Sequence, residues 1–396
     1  MSLNHQDKRL INCLSGDPRS AGQLQNLTIS EWDSLVRQSK EHLVAPFLYK
    51  HLQGIKEQVD IPGEVMQKLY SVYINCAARN VKMECELQNA LQGLVKSNTP
   101  FILLKGAHLN GIVYSDPGLR SMEDVDILFR KEDLKRGQEC LLKAGYLNAD
   151  ERLVVDVHWY LEQYLDLDMN RIWDMARPVV IAGVHALVLS PEHLIVHLCM
   201  HLSFHHQFRF AGLRTFCDIR ETIKRYPSGF NWKEVIDYSE ECSIRNGVYL
   251  TLFLAKTLTG AMVPEDVLEN LKPVSFREEY GEWAIDQIFH KNENEPSLSP
   301  YFWQIWKTDS WITKGILFLK LMIPTREFLS QKYPSSIHSG MNLLYYVVRM
   351  KDHLKRYTGF FWRVMIREDA ALCLIREKKY AFHIMEWISA ADNRLP

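Results

Sequence analysis

The amino-acid sequence predicts an α+β protein, in which a small mixed β-sheet lies between N-terminal helices and a larger C-terminal helical region. Three observations lead to this prediction. Apolar residues recur at helical spacing up to about residue 98, short apolar runs alternate with turn clusters from 99 to 190, and helical spacing returns over 191–396. We therefore expect three parts, 1–98, 99–190 and 191–396, with the sheet in the middle part.

The N-terminal part carries two helix signals. Ser30–Asp33 places acidic side chains where a helix start favours them, and apolar residues follow at helical spacing as far as Phe47. A second run, from Val65 to Val95, keeps this spacing and ends at the turn signal of residues 97–100. Both segments are predicted helices.

The middle part is predicted to contain four strands and a helix. Short apolar and β-branched runs bounded by turn signals indicate the strands. They are Phe101–Leu104, Val125–Phe129, Leu153–Trp159 and Val179–Leu189. The helix is expected over Lys131–Ala144, because Gly145 is a typical C-terminal cap.

From Ser190 onward the sequence predicts helices. Ser190 followed by Pro191 is typical of a helix N-terminus, with a capping hydroxyl and a proline in the first turn. Asn231 begins a second helix in a similar way. We find no internal repeat and no low-complexity tract in the sequence.

Composition and charge narrow the class of protein. A net charge of −1 and a pI near 6.9 argue against nucleic-acid binding through a general positive field, and leave a local basic groove open. The eight cysteines contain no C-x-x-C pair, which is typical of reduced thiols in the cytosol. Because the N-terminus lacks a signal-peptide pattern and no apolar run is long enough for a membrane span, we expect a soluble, cytoplasmic protein.

Two aspartates at the second predicted strand, Asp124 and Asp126, are the strongest candidates for chemistry. Residues i and i+2 of a strand project from one face, so their carboxylates point together. Asp156 has the same setting in the next strand and adds a third carboxylate. An Asp-x-Asp pattern also fits a solvated strand. Three clustered carboxylates, however, repel unless a cation neutralises them, and hard oxygen ligands suit Mg²⁺ in a phosphoryl-transfer site.

Basic and small residues near the aspartates fit a bound triphosphate. Lys105 and Gly106 follow the first strand directly, where backbone can approach a phosphate closely. Arg120 lies four residues before Asp124, and its planar guanidinium matches phosphate oxygens. We therefore expect Lys105, Gly106 and Arg120 to bind a nucleotide.

The order of these motifs resembles the uncharacterised nucleotidyltransferases of the DNA polymerase β-like superfamily. The resemblance covers about residues 30–270. It rests on Leu103–Ala107, Tyr114–Leu128 and Val155–Trp159, with support from Arg79-Asn80, Leu189–Leu194, Leu198–His201, Cys217–Ile219 and Asn231-Trp232. It implies that Asp124 and Asp126 are metal ligands, that Asp156 is the third carboxylate, and that Gly106 lies in the phosphate loop. There is one departure: Ala107 stands where the superfamily usually has glycine or serine, so a phosphate contact must come from backbone or from Lys105.

We therefore expect a Mg²⁺-dependent nucleotidyltransferase that moves a nucleoside monophosphate from an NTP to an acceptor and releases pyrophosphate. Asp124 and Asp126 would ligate the metal, and Asp156 would complete the site and take the proton of the acceptor. The base of the NTP and the acceptor, whether small molecule, peptide, protein or RNA, stay open. The competing hypothesis is a catalytically silent module that binds a nucleotide or a partner on the same fold.

A set of histidines after the sheet has three possible roles. His193, His197, His201 and His205 recur every four residues, on one helix face, with His206 adjacent. Histidine pairs at this spacing can bind Zn²⁺, although no H-E-x-x-H pattern accompanies them. The structural alternative is an inner helix face hydrogen-bonded to backbone. In the third interpretation, His197 or His201 reaches the nucleotide or the acceptor.

Aromatic residues are dense between Tyr301 and Trp362, and basic residues are interleaved from Arg349 to Arg367. Such a mixture favours an aromatic core beneath a solvated basic face. Base stacking with phosphate contacts, or docking on a membrane surface, are the alternatives.

Overall fold

The computed structural model describes residues 3–17, 19–146, 154–162, 167–209, 212–227, 230–289, 313 and 380–390. The chain forms two compact units, residues 1–291 with 387–396, and residues 292–386. Of the second unit, the structure describes Thr313 and the helical stretch 380–386. The aromatic and basic residues noted between 301 and 367 lie outside the described residues. The three-part division at residues 98 and 190 stays a prediction.

Helices precede the sheet. They are α1 (His5–Ser15), α2 (Ser20–Gln23), α3 (Ile29–Glu41), α4 (Ala45–Ile55) and α5 (Gly63–Lys96). A capping box starts α3, because the Thr28 hydroxyl accepts the Glu31 N–H while the Glu31 carboxylate accepts the Thr28 N–H. The second predicted N-terminal helix corresponds to α5, which is 34 residues long.

The sheet is five-stranded, mixed and ordered β3-β2-β1-β5-β4. Its strands are β1 (Phe101–Leu103), β2 (Val125–Phe129), β3 (Val155–His158), β4 (Arg177–Ile181) and β5 (Val184–Val188). The central strand β1 pairs antiparallel with β2 and parallel with β5, and β2 pairs parallel with β3. This arrangement confirms the predicted α+β fold with a small mixed sheet.

One predicted strand, Val179–Leu189, was wrong as a single element. It is a hairpin of β4 and β5, joined by Ala182 and Gly183, whose φ angles are +49° and +72°. Two successive residues with positive φ make the turn that matches the twist of a two-residue hairpin. The apolar run on both sides hid this turn in the sequence.

The remaining helices lie between the strands in the chain or follow the last strand. They are α6 (Lys105–His108), α7 (Leu134–Lys143), α8 (Met169–Asp174), α9 (Pro191–Met200), α10 (Arg214–Arg225), α11 (Trp232–Glu241), α12 (Arg245–Thr259), α13 (Glu265–Leu271) and α14 (Glu278–Phe289). π-helical turns continue α6 over Leu109–Val113 and α9 over His201–His205. As predicted, the Ser190 hydroxyl caps α9. Within the described residues, no helix combines the length and apolar character that a bilayer crossing requires.

Alternation along β2 gives its two faces different side chains. Val125, Ile127 and Phe129 lie in a buried cluster that includes side chains of α5 and α7. Asp126 and Leu128, between them, project to the opposite face. The strand thus places a carboxylate on one side of the sheet by packing apolar residues on the other.

Candidate active site

The sheet gathers the three predicted carboxylates on the face opposite its buried apolar cluster. Asp124 immediately precedes β2, Asp126 is the second residue of β2, and Asp156 is the second residue of β3. Asp126 and Asp156 are register partners in the parallel β2–β3 pair. Because register partners in a sheet share a face, and so do residues i and i+2, all three side chains project from one side.

Asp126 is the buried centre of this group, with 1% of its surface exposed. Its Oδ1 accepts a hydrogen bond from Lys105 Nζ at 2.9 Å and lies 2.8 Å from His158 Nε2. Burial would raise the pKa of Asp126, but the hydrogen bond to His158 and the charge of Lys105 outweigh burial and lower it. Asp126 Oδ2 is also buried, and no described residue donates a hydrogen bond to it. One oxygen of an ionised carboxylate is therefore left for a further cation.

An unusual backbone conformation brings Lys105 to Asp126. Lys105 has a φ of +37°, outside the regions that a non-glycine residue normally adopts. The preceding residue, Leu104, donates its N–H to the Asp126 carbonyl at 3.0 Å and ends the β1–β2 pairing there. Such backbone strain tends to occur at functional sites, where the surrounding structure holds it in place.

Asp124 and Asp156 have more solvent contact than Asp126. Asp124 is partly exposed and Asp156 is exposed. Burial raises the pKa of Asp124, and the negative charges of Asp126 and Asp156 raise it further, against the opposing charge of Lys105. The cluster therefore carries more negative charge than Lys105 balances, which is the electrostatic condition for binding a cation.

We expect Asp124→Asn to stabilise the metal-free protein at pH 7 by about 0.2–1 kcal/mol, the order of magnitude for an interaction between two neighbouring side chains of a sheet. The sign follows from the raised pKa of Asp124. Its ionisation costs stability above the folded pKa, and this cost disappears below the unfolded value near 3.8. Urea unfolding at pH 7 and about pH 3 measures the difference, with the exposed Glu132→Gln as control. A variant no more stable than wild type at pH 7 would show that the carboxylates do not repel.

The structure places Arg120 in a buried ion pair. Arg120 Nε donates to Asp218 Oδ1 at 2.9 Å, and the Tyr114 hydroxyl donates to the same oxygen at 2.8 Å. A Cβ on Gly106 would lie 3.2 Å from Arg120 Nη1, so this glycine lets the guanidinium pack close to the backbone. Direct phosphate contacts by Gly106 and Arg120 stay predictions.

The loop before Asp124 is held by Asn80 on α5, a residue that the sequence indicated only through the family resemblance. Asn80 Nδ2 donates to the carbonyls of Pro117 and Arg120 at 2.7 and 2.6 Å. Asn80 Oδ1 accepts the Met122 N–H at 2.9 Å. Its signal in the sequence is an amide on an otherwise apolar helix face. The side chain thus fixes the path of the chain into the carboxylate group.

Histidines of α9 and its π-helical turn lie near the same carboxylates. His197 is buried with both ring nitrogens unpaired among the described residues, and burial and the charge of Lys105 lower its pKa to about 3. Burial and the charge of His205 lower the pKa of His206 to about 4. His193 is in different surroundings, 3.1 Å from Glu234 Oε1 and against the Tyr238 ring. The single histidine face expected from the spacing is therefore divided.

Arg214, at the start of α10, is a basic residue near the carboxylate cluster. The sequence motifs did not indicate it. Its Nη1 lies 3.6 Å from Glu123 Oε1, and the side chain is 21% exposed. Burial and the charge of Arg120 lower its pKa, while Asp218, Glu123 and Asp124 act in the opposite direction. No local sequence pattern distinguishes this arginine, because its position depends on the packing of α10 against the loop before β2.

Comparison with known proteins adds a family assignment. A family model described as "Uncharacterised nucleotidyltransferase" matches residues 29–260, more than half of the chain. The matched segment includes every predicted site residue. No curated protein and no solved structure matches the chain.

Proposed function

The chain belongs to the family of uncharacterised nucleotidyltransferases, and from this premise we propose that it transfers a nucleoside monophosphate from an NTP to an acceptor in a Mg²⁺-dependent reaction. The observation that carries the proposal is the carboxylate group Asp124, Asp126 and Asp156 beside one ammonium, Lys105. The family supports nucleotidyl transfer in general. The metal and the roles below are our proposals.

The residues present fit a divalent cation with oxygen ligands. Asp126 offers a buried Oδ2 to which no described residue donates a hydrogen bond, and burial together with neighbouring charges disfavours Asp124 as an isolated anion. Asp124 and Asp126 would hold the ion, with Asp156 completing the site. Carboxylate oxygens are the ligands that Mg²⁺ prefers, and Mg²⁺ bound here would neutralise charge on the triphosphate oxygens.

The reaction places different demands on the three aspartates. A hydroxyl or amine of the acceptor attacks the α-phosphorus, the bond to the bridging oxygen breaks, and pyrophosphate leaves. We assign the acceptor's proton to Asp156, because this carboxylate is exposed and lies across the strand pair from Asp126. Asp126, buried and held by Lys105 and His158, suits a fixed ligand rather than a proton acceptor.

Three basic residues are candidates for contact with the triphosphate, and one of them also supports the loop before Asp124. Lys105 Nζ is at the carboxylates and its side chain is 22% exposed, so it can turn toward a triphosphate. Arg214 has similar exposure, and among the described residues it pairs with Glu123 at 3.6 Å. Arg120 pairs with Asp218 through Nε, and we propose that it holds the loop before Asp124 in addition to its predicted contact with phosphate.

We expect Lys105→Ala to weaken NTP binding roughly ten- to a hundredfold, the loss of one charge-assisted contact of about 1.5–3 kcal/mol. Affinity for the nucleoside should be unchanged, because the partner of Lys105 is phosphate charge. Calorimetric titration with NTP and nucleoside measures both, and Lys143→Ala on the exposed side of α7 is the control. If Lys105→Ala only lowers stability and leaves NTP affinity intact, the lysine is structural.

One contact favours a second candidate function, a silent module that binds a nucleotide or a partner. The Lys105–Asp126 ion pair already neutralises one carboxylate without a metal. In such a module, Lys105 would keep this partner and no pyrophosphate would form.

Turnover separates the two functions. The full chain is incubated with each of the four α-labelled ribonucleotides and Mg²⁺, and pyrophosphate release and label transfer to small-molecule, peptide, protein and RNA fractions are measured. A nucleotide at a hundred times its Kd should add about 2.7 kcal/mol of stability, which a thermal shift detects. Nucleotide binding without pyrophosphate release from any NTP would favour the silent module.

A further inference from the structure

The π-helical turn after α9 brings three imidazoles together. His201, His205 and His206 each offer a ring nitrogen, and these nitrogens all lie within 4.8 Å of one another. We propose that this histidine trio binds a divalent transition-metal ion, with Zn²⁺ as the best fit, at a site separate from the Asp124–Asp126–Asp156 carboxylates.

The backbone explains why the three rings converge. In a regular α-helix, residues i and i+4 are neighbours but residue i+5 is turned away. Here the His206 N–H donates to the His201 carbonyl at 3.0 Å, so the wider turn places His206 beside His201. The His201 and His205 rings stack at 4.9 Å and 13°, and the His206 ring stands across His201 at 4.4 Å and 82°. π-helical turns of this kind occur frequently at functional sites.

The spacing of the ring nitrogens suits a tetrahedral ion. Zn–N bonds of about 2.0–2.1 Å require nitrogens about 3.3–3.4 Å apart. His201 Nε2 and His206 Nε2 are 2.9 Å apart, and the whole trio lies within 4.8 Å. The required distances fall inside this range, so small rotations of the rings reach them. Three protein ligands would leave one coordination position open, as in zinc sites that take a water or substrate.

Donor chemistry distinguishes this site from the carboxylates. Imidazole nitrogen suits Zn²⁺, Co²⁺ and Ni²⁺, whereas Mg²⁺ prefers oxygen. Among the described residues, Glu162 brings a carboxylate beside the trio, with its Oε2 3.9 Å from His205 Nδ1. Neighbouring charges affect the binding of a cation by the trio. Lys105 and Arg214 repel a cation there, whereas Asp126 attracts it. Because Lys105 forms an ion pair with Asp126, its repulsion of a cation at the trio is reduced.

Cobalt provides a direct test that needs no enzyme activity. The full chain, with any affinity tag removed and metals stripped by chelation, is titrated with Co²⁺ and followed by visible absorption. We expect one equivalent to bind with the intense bands of a four-coordinate site, and Zn²⁺ to displace it. The double variant His205→Ala, His206→Ala should bind at least about a hundredfold more weakly, since even loss of a residue that only supports a ligand costs up to that much.

Two control variants make the result specific. His185→Ala removes an exposed histidine on β5 and should leave the cobalt spectrum unchanged. Asp126→Asn changes the carboxylate site and removes a charge that favours the cation, so it should weaken cobalt affinity only slightly and leave the positions and intensity of the bands unchanged. Failure of the nucleotidyltransferase proposal would therefore not affect this result. Circular dichroism checks that each variant is folded. If the double variant does not fold, the single variant His205→Ala replaces it, because the His205 side chain is 60% exposed and its loss should not disturb the fold. No cobalt bands in the wild-type chain, bands retained in folded histidine variants, or bands lost in Asp126→Asn would each overturn the proposal.

Discussion

Asp126→Asn is expected to abolish Mg²⁺-dependent NTP binding and to reduce the rate of transfer at least about a thousandfold. A thousandfold is the upper end of the loss in rate when one group that stabilises charge in the transition state is removed. The same change should destabilise the metal-free protein by about 1.5–3 kcal/mol, since Lys105 and His158 lose a charged hydrogen-bond partner. The lowered pKa of Asp126 sets the sign. Its stabilisation is present above the unfolded value near 3.8 and is lost as pH falls through the folded pKa.

Asp124→Asn is the matched comparison for this prediction. Both variants remove one carboxylate charge from the same face, but their effects on apo stability should have opposite signs, because the pKa of Asp124 is raised and that of Asp126 is lowered. Calorimetric titration with Mg-NTP and urea unfolding at pH 7 measure both properties. Unchanged Mg-NTP affinity in Asp126→Asn would rule out Asp126 as a metal ligand.

Asp156→Asn should still bind NTP but transfer about 10²- to 10⁴-fold more slowly, the contribution typical of a positioned general base. The physical reason is its location. Asp156 arrives on β3 and is exposed, so it can face an incoming nucleophile while Asp124 and Asp126 retain the nucleotide. Single-turnover rates at saturating Mg-NTP, with the acceptor found by label transfer, measure the effect.

Separate measurement of binding and of chemistry distinguishes this role of Asp156 from a structural one. If Asp156 only orients His158 or Trp159, the variant should keep a near-wild-type rate of transfer. If it accepts the proton, the transfer step should slow while the affinity for Mg-NTP is kept. Asp174→Asn, an exposed aspartate at the end of α8, controls for loss of charge. A near-wild-type rate would remove Asp156 from the active site.

Local sequence patterns were sufficient for the elements whose signals are short-range. The strand Val125–Phe129 has the predicted bounds, because a buried apolar run between turn signals defines it. That Asp124 and Asp126 share a face follows from the two-residue period of a strand, with no knowledge of the sheet. By contrast, the β4–β5 hairpin was missed because Ala182 adopts a positive φ that alanine rarely has.

The partners within the site could not be predicted, since they depend on distant chain segments. Lys105 meets Asp126 only through a left-handed φ and the antiparallel β1–β2 register. Arg120 meets Asp218 across 98 residues. The histidines follow a helical spacing in the sequence, yet a π-helical turn, which has no simple pattern, regroups His201 with His206.

The Arg120–Asp218 pair also has a consequence for the order in which the protein is made. At a synthesis rate of about 5–20 residues per second, the ribosome adds Asp218 roughly 5–20 s after Arg120. During that interval the guanidinium of Arg120 and the hydroxyl of Tyr114 lack the acceptor that they share in the finished fold. A guanidinium without its partner resists burial, because an uncompensated buried charge costs about 3–5 kcal/mol. The β1–β2 pair can therefore form before Asp218 is added, whereas the loop that carries the chain into Asp124 closes only after α10 has emerged.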